Sequence, residues 1–337
     1  HIAAQEGGKP HADTLVEVKR AIQGVHVAIH TMHEQGGTEV PMGLTPASTQ
    51  RMAFTRREPI GVIASVSAFN HPVNLTVHQT IPAIAVGSPV IIKPALTTPL
   101  SCLRMMELYR EAGLDEVWCR ALIADNDVGE RLVTDPRVAY LSFIGSPGVG
   151  WMLRSKLAPG TRAALEHGGI APVIVEADAD LDAMIPALAK GGFYHAGQVC
   201  VSVQRVFAHT SIAAKVAGAL TDEAEKLVVG DPLDPKTEVG PLITPANVDR
   251  VESWVRDAVD QGARALCGGE RLSNTCYKPT VLWNPPQDAT VSQQEIFGPV
   301  VCVSPVKDRH EAIRRANDAP FAFQASVFTK DLDAAID

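Results

Sequence analysis

One cysteine stands apart from the other five in this chain of 337 residues. Cys200 follows Gly197-Gln198-Val199 and lies among small and polar residues, where a helix is predicted to pass into a loop. A thiol acts as a nucleophile when its pKa is lowered or a base lies nearby, and His195 is close in the sequence. The alternative is structural, because a cysteine outside a disulfide is usually a small buried hydrophobe. Three other cysteines lie within apolar patterns and fit that alternative, namely Cys102, Cys119 and Cys302.

Two polar residues lie at the ends of predicted strands. Glu166 ends a short strand just before Gly168 and Gly169, where the missing side chains let a ligand approach closely. Asn70 follows the first strong strand, and doubly wound folds bind their ligands at the carboxyl ends of strands. The structural alternatives are a solvated surface carboxylate for Glu166 and an Asx-type helix cap for Asn70.

A glycine-rich turn connects a predicted strand at 138–144 to a helix predicted from Trp151. The turn, residues 145–150, reads Gly-Ser-Pro-Gly-Val-Gly. N–H groups at a helix N-terminus bind phosphate, and glycines let the ligand approach. The run is neither G-x-G-x-x-G nor a P-loop, so a purely structural turn is an equal alternative.

Three histidines share one face of a predicted helix, at positions 26, 30 and 33. This spacing is compatible with metal binding, but a structural zinc site normally has four ligands. We therefore interpret these residues as a solvated helix face and predict no metal site.

The elements that position these residues follow a strand-then-helix rhythm from residue 59 onward, which predicts a mostly parallel sheet covered by helices. Thr98, Pro99 and Gly113 mark the clearest helix, as N-cap, first helical residue and C-terminal stop. Predicted strands span 60–68, 89–93, 138–144, 163–166, 173–176, 205–208, 300–306 and 325–328. Other predicted helices span 71–86, 151–157, 211–228, 245–261 and 309–316.

Length and composition limit the class of protein. A chain of 337 residues predicts two domains, and 46% hydrophobic with 20% charged residues is typical of a soluble globular protein. The net charge of −8 argues against nucleic acid and an anionic membrane surface as partners. The six cysteines include no C-x-x-C pair, and the apolar runs are short. We therefore predict a cytoplasmic protein with reduced thiols.

Six motifs, taken in order, resemble the motif set of the aldehyde dehydrogenase superfamily. They are Asn70, Lys93-Pro94, Gly145 to Gly150, Glu166-His167-Gly168-Gly169, Gly197-Gln198-Val199-Cys200 and Glu295-Ile296-Phe297-Gly298-Pro299. The resemblance covers essentially the whole chain. It implies an α/β fold with a Rossmann-like NAD(P)-binding domain at 1–168 and an α/β catalytic domain at 169–337. It also implies that residues 38–58 are part of an oligomerisation hairpin, that the chain is short at both ends, and that the protein is a homodimer or homotetramer.

The resemblance further implies that the protein oxidises an aldehyde to a carboxylic acid. Cys200 matches the nucleophile, whose thiolate would form a thiohemiacetal with the substrate. The Asn70 amide and the Cys200 backbone N–H match the oxyanion hole. Glu166 matches the general base that activates water to hydrolyse the thioester, a role that suits a partly desolvated carboxylate with a raised pKa.

The cofactor residues are implied in the same way. Lys93 resembles the lysine at the adenosine ribose, and Ser146 the serine at the pyrophosphate. Glu295 resembles the glutamate that holds the nicotinamide ribose, with Phe297 beside it. The family has a G-x-x-x-x-G turn where Gly145 and Gly150 stand.

One departure concerns the choice between NAD and NADP. Leu96 stands three residues after Lys93, where NAD-preferring relatives often have a glutamate for the ribose 2′-hydroxyl. A leucine neither makes that hydrogen bond nor repels a 2′-phosphate. The sequence therefore leaves the preference open.

Four positions match residues that line the substrate tunnel in the family, namely His71, Leu75, His78 and His195. Relatives usually have large apolar residues at several of them. Because imidazoles donate hydrogen bonds and carry charge near neutral pH, we hypothesise a short, polar, anionic aldehyde. The alternative is that the histidines bind only to the protein and select nothing.

Two alternative functions remain open within the family. An acylating dehydrogenase would pass the acyl group to coenzyme A, but such relatives commonly lack the base that Glu166 matches. A catalytically silent member would act as a binding or structural protein. The presence of Cys200, Asn70, Glu166 and Glu295 argues against a silent member.

Overall fold

The structure is a computed structural model that describes residues 1–321 and 323–336. The chain divides into two compact units. The N-terminal unit consists of Val16–Glu166, and the C-terminal unit consists of residues 1–15 together with residues from His167 onward. The first 15 residues thus pack with residues that come after Glu166 in the sequence. The assignment of 1–168 to the cofactor and 169–337 to catalysis stays a prediction.

Two helices and a short hairpin precede the main sheets. Helix α1 spans Ile2–Gly7, and helix α2 spans His11–Glu34 and crosses the boundary between the units. Strands β1 (Glu39–Val40) and β2 (Ala53–Phe54) pair antiparallel. Residues 38–58 therefore contain a hairpin, whose part in oligomerisation stays a prediction.

The N-terminal unit contains a five-stranded sheet covered by helices on both faces. Its strands are β3 (Val62–Val66), β4 (Val90–Lys93), β5 (Cys119–Ala121), β6 (Val138–Gly145) and β7 (Arg162–His167). Its helices are α3 (Pro72–Ala85), α4 (Pro99–Glu111), α5 (Asn126–Thr134) and α6 (Pro147–Ser155). The strand order is β5-β4-β3-β6-β7, and β3 pairs parallel with both β4 and β6. This is the strand order of a Rossmann-like sheet, so the predicted α/β class is confirmed.

Alternation along β3 explains the two covered faces. Ile63 packs into a cluster with residues of α3 and α4, whereas the next residue, Ala64, packs into a cluster with residues of α5 and α6. Successive side chains of a strand point to opposite faces, so one short strand serves both cores. A strand buried on both faces has an almost continuously apolar sequence, as β3 and β4 do.

Two helix starts differ from the sequence predictions. Helix α6 begins at Pro147, one turn before the predicted Trp151, so Gly148 and Gly150 are helical residues. Proline fixes a helical φ and lacks only an N–H that is unbonded at a helix start, which favours Pro147 as the first residue. At α4, Thr98 occupies the predicted N-cap position, but its hydroxyl donates to the carbonyl of Phe69 at 3.3 Å.

The C-terminal unit contains a six-stranded mixed sheet. Its strands are β8 (Pro172–Val175), β9 (Arg205–His209), β10 (Arg264–Cys267), β11 (Thr280–Trp283), β12 (Val300–Val306) and β13 (Ser326–Phe328). Its helices are α7 (Leu181–Phe193), α8 (Ala213–Lys226), α9 (Pro245–Asp260), α10 (Thr290–Gln293), α11 (Arg309–Asn317) and α12 (Leu332–Ile336). The order is β10-β11-β12-β9-β8-β13, in which β10 pairs antiparallel and the other neighbours pair parallel. Buried residues of α7, α8 and α9 pack with this sheet into one core.

Within the described ranges, no helix has the length and apolar character that crossing a membrane requires. The same ranges contain no group of three or more histidine, cysteine or acidic residues placed to hold a metal ion.

A buried glutamine joins the two central strands of the N-terminal sheet. The Gln79 side chain on α3 donates to the backbone carbonyls of Val66 at 3.1 Å and Ser142 at 3.0 Å. The Ser65 hydroxyl donates to the backbone carbonyl of Gln79 at 3.2 Å. These bonds cross the point where the strand order reverses and tie α3 to both strands.

We expect Gln79→Leu to lower the free energy of unfolding by about 1–3 kcal/mol, because it leaves buried carbonyls without their donor. The measurement is urea unfolding followed by circular dichroism. Gln261→Leu, at an exposed position, serves as the matched control and should change stability by less than about 0.5 kcal/mol. Equal stability of the two variants would show that the Gln79 bonds contribute nothing net.

Candidate active site

Three predicted site residues meet at the carboxyl edge of the N-terminal sheet. Val66 of β3 pairs with Lys93 of β4 and with Phe143 of β6, so these three strands end at the same edge. Asn70 lies in the loop after β3 and is only 5% exposed, and Lys93 is 6% exposed. Ser146 follows β6 as the N-cap of α6. The structure thus brings the predicted oxyanion donor and two predicted cofactor residues to the switch point of the sheet.

The Lys93 side chain is held along α5. An added Cβ at Gly129 would lie 2.8 Å from the Lys93 Cδ and 2.9 Å from its Cε, so a larger residue at 129 would force the lysine stem to move. Burial lowers the pKa of the Lys93 ammonium group, and the carboxylate of Asp125 opposes that shift. Asp125 itself caps α5 through the N–H of Val128.

The glycine turn presents an open helix N-terminus. Within the described part of the chain, the exposed Ser146 side chain makes no capping hydrogen bond to α6, and a Cβ at Gly148 would meet no heavy atom within 4 Å. Gly145 packs closely on the ring of Phe143, with an added Cβ only 2.8 Å from the ring. Gly150 is buried inside α6. An anionic group could therefore approach this N-terminus from solvent.

A groove of about 520 Å³ runs between α2 and α3 in the N-terminal unit. Its lining includes Arg20, Gln23 and Val27 from α2, and Asn74, Val77 and His78 from α3. Of the four predicted tunnel residues, His78 lines this groove, whereas His71 and Leu75 are half-buried at the start of α3. Sequence reasoning missed Arg20 and Gln23, although positions 20, 23 and 27 follow the helical spacing of one face.

The segment before Cys200 is a tight turn with left-handed backbone. His195, Ala196 and Gly197 have φ values of 48°, 54° and 70°. Non-glycine residues in this region store about 1–3 kcal/mol of strain each and cluster at functional sites. A Cβ at Gly197 would lie 2.1 Å from the carbonyl oxygen of Gly298, so glycine is required there. His195, the fourth predicted tunnel residue, is fully buried in this turn.

A second set of bonds anchors the residues that flank the thiol. The Gln198 side chain accepts from the N–H of Ile243 at 2.8 Å and donates to the carbonyl of Pro241 at 3.2 Å. The Ser202 hydroxyl donates to the carbonyl of Gly191 at 3.2 Å. Cys200 itself is half-buried. The backbone on both sides of the thiol is therefore fixed by hydrogen bonds.

Most of the other cysteines have structural environments. Burial raises the pKa of the Cys119 thiol to about 12 and that of the Cys302 thiol to about 12. Burial also raises the pKa of Cys267, and Cys102 is fully buried. Only Cys200 and Cys276 are half-buried among the six cysteines, all of which the structure describes.

Glu295 contacts the two glycines that follow Glu166 in the sequence. Its Oε1 accepts from the N–H of Gly169 at 3.1 Å, and a Cβ at Gly168 would lie 2.0 Å from the same oxygen. Burial raises the pKa of the Glu295 carboxyl to about 7, against the opposing effects of the Gly169 N–H and of Arg250. Two motifs separated by 126 residues therefore meet in the C-terminal unit.

Two further predicted residues lie beside this contact in the sequence. Phe297 is half-buried with a left-handed φ of 47°. Glu166 lies in β7 and its side chain is exposed, so the partial desolvation that we expected for a general base is not seen.

Comparisons with known proteins bear on the identity of the chain. The sequence model of the aldehyde dehydrogenase family matches residues 1–337. A 3-sulfolactaldehyde dehydrogenase from Priestia aryabhattai is 40% identical over 336 residues, which are 99% of this chain and 70% of that protein.

Solved structures give the same result. Aldehyde dehydrogenase 21 from Physcomitrella patens, in complex with the reaction product succinate, has a TM-score of 0.95 and 34% identity over 99% of this chain and 70% of that chain. A glyceraldehyde-3-phosphate dehydrogenase from Methanocaldococcus jannaschii, complexed with NADP, has a TM-score of 0.93 and 34% identity, with 99% and 72% covered. An NAD-dependent aldehyde dehydrogenase from Sinorhizobium meliloti has a TM-score of 0.95 and 32% identity, with 99% and 67% covered.

The resemblance drawn from the six motifs is confirmed by these matches, and neighbours of both cofactor types are among them. The chain therefore belongs to the aldehyde dehydrogenase family, and with it to the oxidoreductases that act on aldehydes with NAD or NADP as the cofactor.

Proposed function

We propose that this chain oxidises a short polar aldehyde carrying an anionic group to the carboxylic acid, with Cys200 as the nucleophile. The observation that carries the proposal is the position of Asn70 directly before α3, the helix that also forms one wall of the groove. From Pro72 to His78 the helix rises about 9 Å, at about 1.5 Å per residue, which suits a short substrate. Arg20 and His78 would bind its anionic end.

Two of the proteins that this chain resembles support this substrate class, although betaine aldehyde dehydrogenases are also among its relatives. One relative is a 3-sulfolactaldehyde dehydrogenase, and one structural neighbour holds the product succinate. Sulfonate and carboxylate are both anions that a guanidinium group binds with charge-assisted hydrogen bonds.

The covalent step uses the thiol of Cys200. Its thiolate forms a bond to the aldehyde carbon, and the carbonyl π electrons move to the oxygen. The side-chain amide of Asn70 and the backbone N–H of Cys200 donate hydrogen bonds to that oxyanion. The product of this step is a thiohemiacetal attached to the enzyme.

Several residues of the chain suit the binding of NAD or NADP. When bound, this cofactor would supply the group that accepts the hydride. The open N-terminus of α6 with Ser146 suits a pyrophosphate, and the ammonium group of Lys93 suits a ribose hydroxyl. The Glu295 carboxylate would accept from the nicotinamide ribose, with Phe297 beside it. Leu96 is 54% exposed and gives no basis for choosing between the two cofactors.

With bound NAD⁺ or NADP⁺ as the acceptor of the hydride, the thiohemiacetal carbon would become the carbonyl carbon of a thioester on Cys200. Glu166 takes a proton from a water molecule that attacks the thioester carbon. The C–S bond then breaks, which releases the carboxylic acid and regenerates the thiolate. The exposed position of Glu166 supports its access to water.

We also propose that the protein forms a homodimer or homotetramer through the hairpin at 38–58, in the cytoplasm. Three apolar side chains in this segment are largely exposed, Leu44 at 92%, Met52 at 84% and Phe54 at 71%. Burial of such residues against a second copy would stabilise the assembly.

We expect Cys200→Ser to abolish aldehyde oxidation, because the alcohol is a far weaker nucleophile than the thiolate. Glu166→Gln should retain a burst of reduced cofactor and then turn over slowly, because only thioester hydrolysis needs the base. Stopped-flow absorbance at the nicotinamide band measures both. Cys276→Ser, at the other half-buried cysteine, is the matched control and should keep full activity. Turnover that requires coenzyme A and releases an acyl-coenzyme A instead of the free acid would refute the hydrolytic mechanism.

The substrate class is tested at the groove. We expect Arg20→Gln to raise KM for an anionic aldehyde by about tenfold, the loss of roughly 1.4 kcal/mol of binding, and to leave KM for a neutral aldehyde unchanged. Lys19→Gln removes an adjacent exposed cation that does not line the groove and is the matched control. Highest kcat/KM with long alkyl aldehydes would reject the proposed substrate class.

The carboxyl of Glu295 predicts a pH dependence of cofactor binding. With a pKa of about 7, this carboxyl loses its proton as the pH rises through neutrality, and only the carboxylate is a full acceptor for ribose hydroxyls. We expect the Kd for NAD or NADP to fall by roughly fivefold to tenfold between about pH 6 and about pH 8. Glu295→Gln should remove this dependence, as measured by fluorescence titration. An unchanged pH profile in Glu295→Gln would exclude Glu295 as the titrating group.

A further inference from the structure

Helix α3 is capped from a distant part of the chain. The Oε1 of Glu17 accepts from the N–H of Val73 at 2.8 Å and from the N–H of Asn74 at 3.0 Å. These are the first N–H groups of the helix, because residue 72 is a proline. In most helices the side chain of the N-cap residue accepts from these N–H groups. Here the N-cap residue is His71, whose side chain makes no such bond within the described residues, and the Glu17 carboxylate accepts from them instead.

The Glu17 side chain is fully buried, with an exposed fraction of 0%. A buried carboxylate is costly unless it accepts strong hydrogen bonds, so these two bonds are important to the local structure. A carboxylate at a helix N-terminus also gains from the helix dipole. The interaction therefore fixes where α3 begins.

The start of α3 is also the end of the loop that carries Asn70. This loop is bonded at two earlier points, because the N–H of Ser67 donates to the carbonyl of Lys93 at 3.0 Å and the Thr98 hydroxyl donates to the carbonyl of Phe69 at 3.3 Å. Glu17 supplies the third point, on the other side of Asn70. A loop held on both sides leaves little freedom for the Asn70 backbone.

We infer that Glu17 is a positioning residue for the reaction, which holds the Asn70 amide in the orientation that binds the oxyanion. This inference rests on the proposed role of Asn70. Glu17 acts through the start of α3, by bonding the N–H groups of Val73 and Asn74, and does not need to touch the reacting atoms. Displacement of a donor by about 1 Å costs up to about 100-fold in rate.

The test is the rate constant of the burst of reduced cofactor in the full-length enzyme. We expect Glu17→Ala to slow the burst by about 10-fold to 100-fold. Glu17→Gln retains an amide oxygen that accepts the same two N–H bonds, so it should stay within about threefold of the wild type. The Kd of the cofactor should be unchanged in both variants. A burst rate constant does not depend on the amount of folded enzyme, so it separates positioning from loss of protein.

A matched control removes a comparable carboxylate cap elsewhere. Asp308 caps α11 through the N–H of Glu311 at 2.8 Å. Asp308→Ala should lower the thermal midpoint and leave the burst rate unchanged. If Glu17→Ala does not accumulate as folded protein, Glu17→Asp shortens the reach by one methylene and should slow the burst in the same direction.

A double-mutant comparison tests the route through Asn70. In an Asn70→Ala background, Glu17→Ala should slow the burst by less than about twofold, because the group that it positions is gone. Equal losses in both backgrounds, a wild-type burst in Glu17→Ala, or a Gln variant as slow as the Ala variant would overturn the inference. A wild-type burst in Asn70→Ala would overturn the proposed oxyanion role as well, whereas a slow Asn70→Ala with a normal Glu17→Ala overturns the inference alone.

Discussion

The parallel pairing of β3 with both of its neighbours is the constraint on which the candidate site depends. Val66 pairs with Lys93 on one side and with Phe143 on the other, so three strands end at one level. A predicted site residue lies at or just after the end of each of these strands: Asn70 after β3, Lys93 at the end of β4 and Ser146 after β6. The bonds from Gln79 to Val66 and Ser142 connect β3 and β6 at the point where the strand order reverses.

Buried polar groups set the remaining geometry. The Lys93 stem lies in a space that exists because Gly129 lacks a side chain, and the Glu295 carboxylate lies over Gly168 for the same reason. In both cases a charged group is desolvated close to where a cofactor is proposed to bind, which shifts its pKa. Burial thus destabilises the charged form of each group and, by the same effect, moves its pKa toward neutrality.

Sequence reasoning predicted the parts of the fold that are determined locally. The apolar strands β3, β4 and β12 and the helix α4 were predictable because β-branched runs and proline or glycine boundaries mark them. Strand β5 was missed because its three residues, with an arginine in the middle, form a strand only by pairing with β4. Asn70, Lys93 and Ser146 each end or closely follow a predicted strand, but the strand order that brings them to one edge was not predicted. Glu17 and Arg20 could not be assigned a role from the sequence, because each depends on residues of α3 more than 50 positions later. Glu17 bonds Val73, which is 56 residues away, and Arg20 lines a groove with Asn74 and His78.

The split of the C-terminal unit has a consequence for the order of synthesis and folding. Residues 1–15 are synthesised before the N-terminal unit, yet their partners are synthesised after it: Asp13 pairs with Lys190 at 2.7 Å, and the N–H of His11 donates to the carbonyl of Pro232 at 2.8 Å. The N-terminal unit, by contrast, is one continuous segment, Val16–Glu166. A ribosome therefore releases residues 16–166 while residues 1–15 still lack the surface on which they pack.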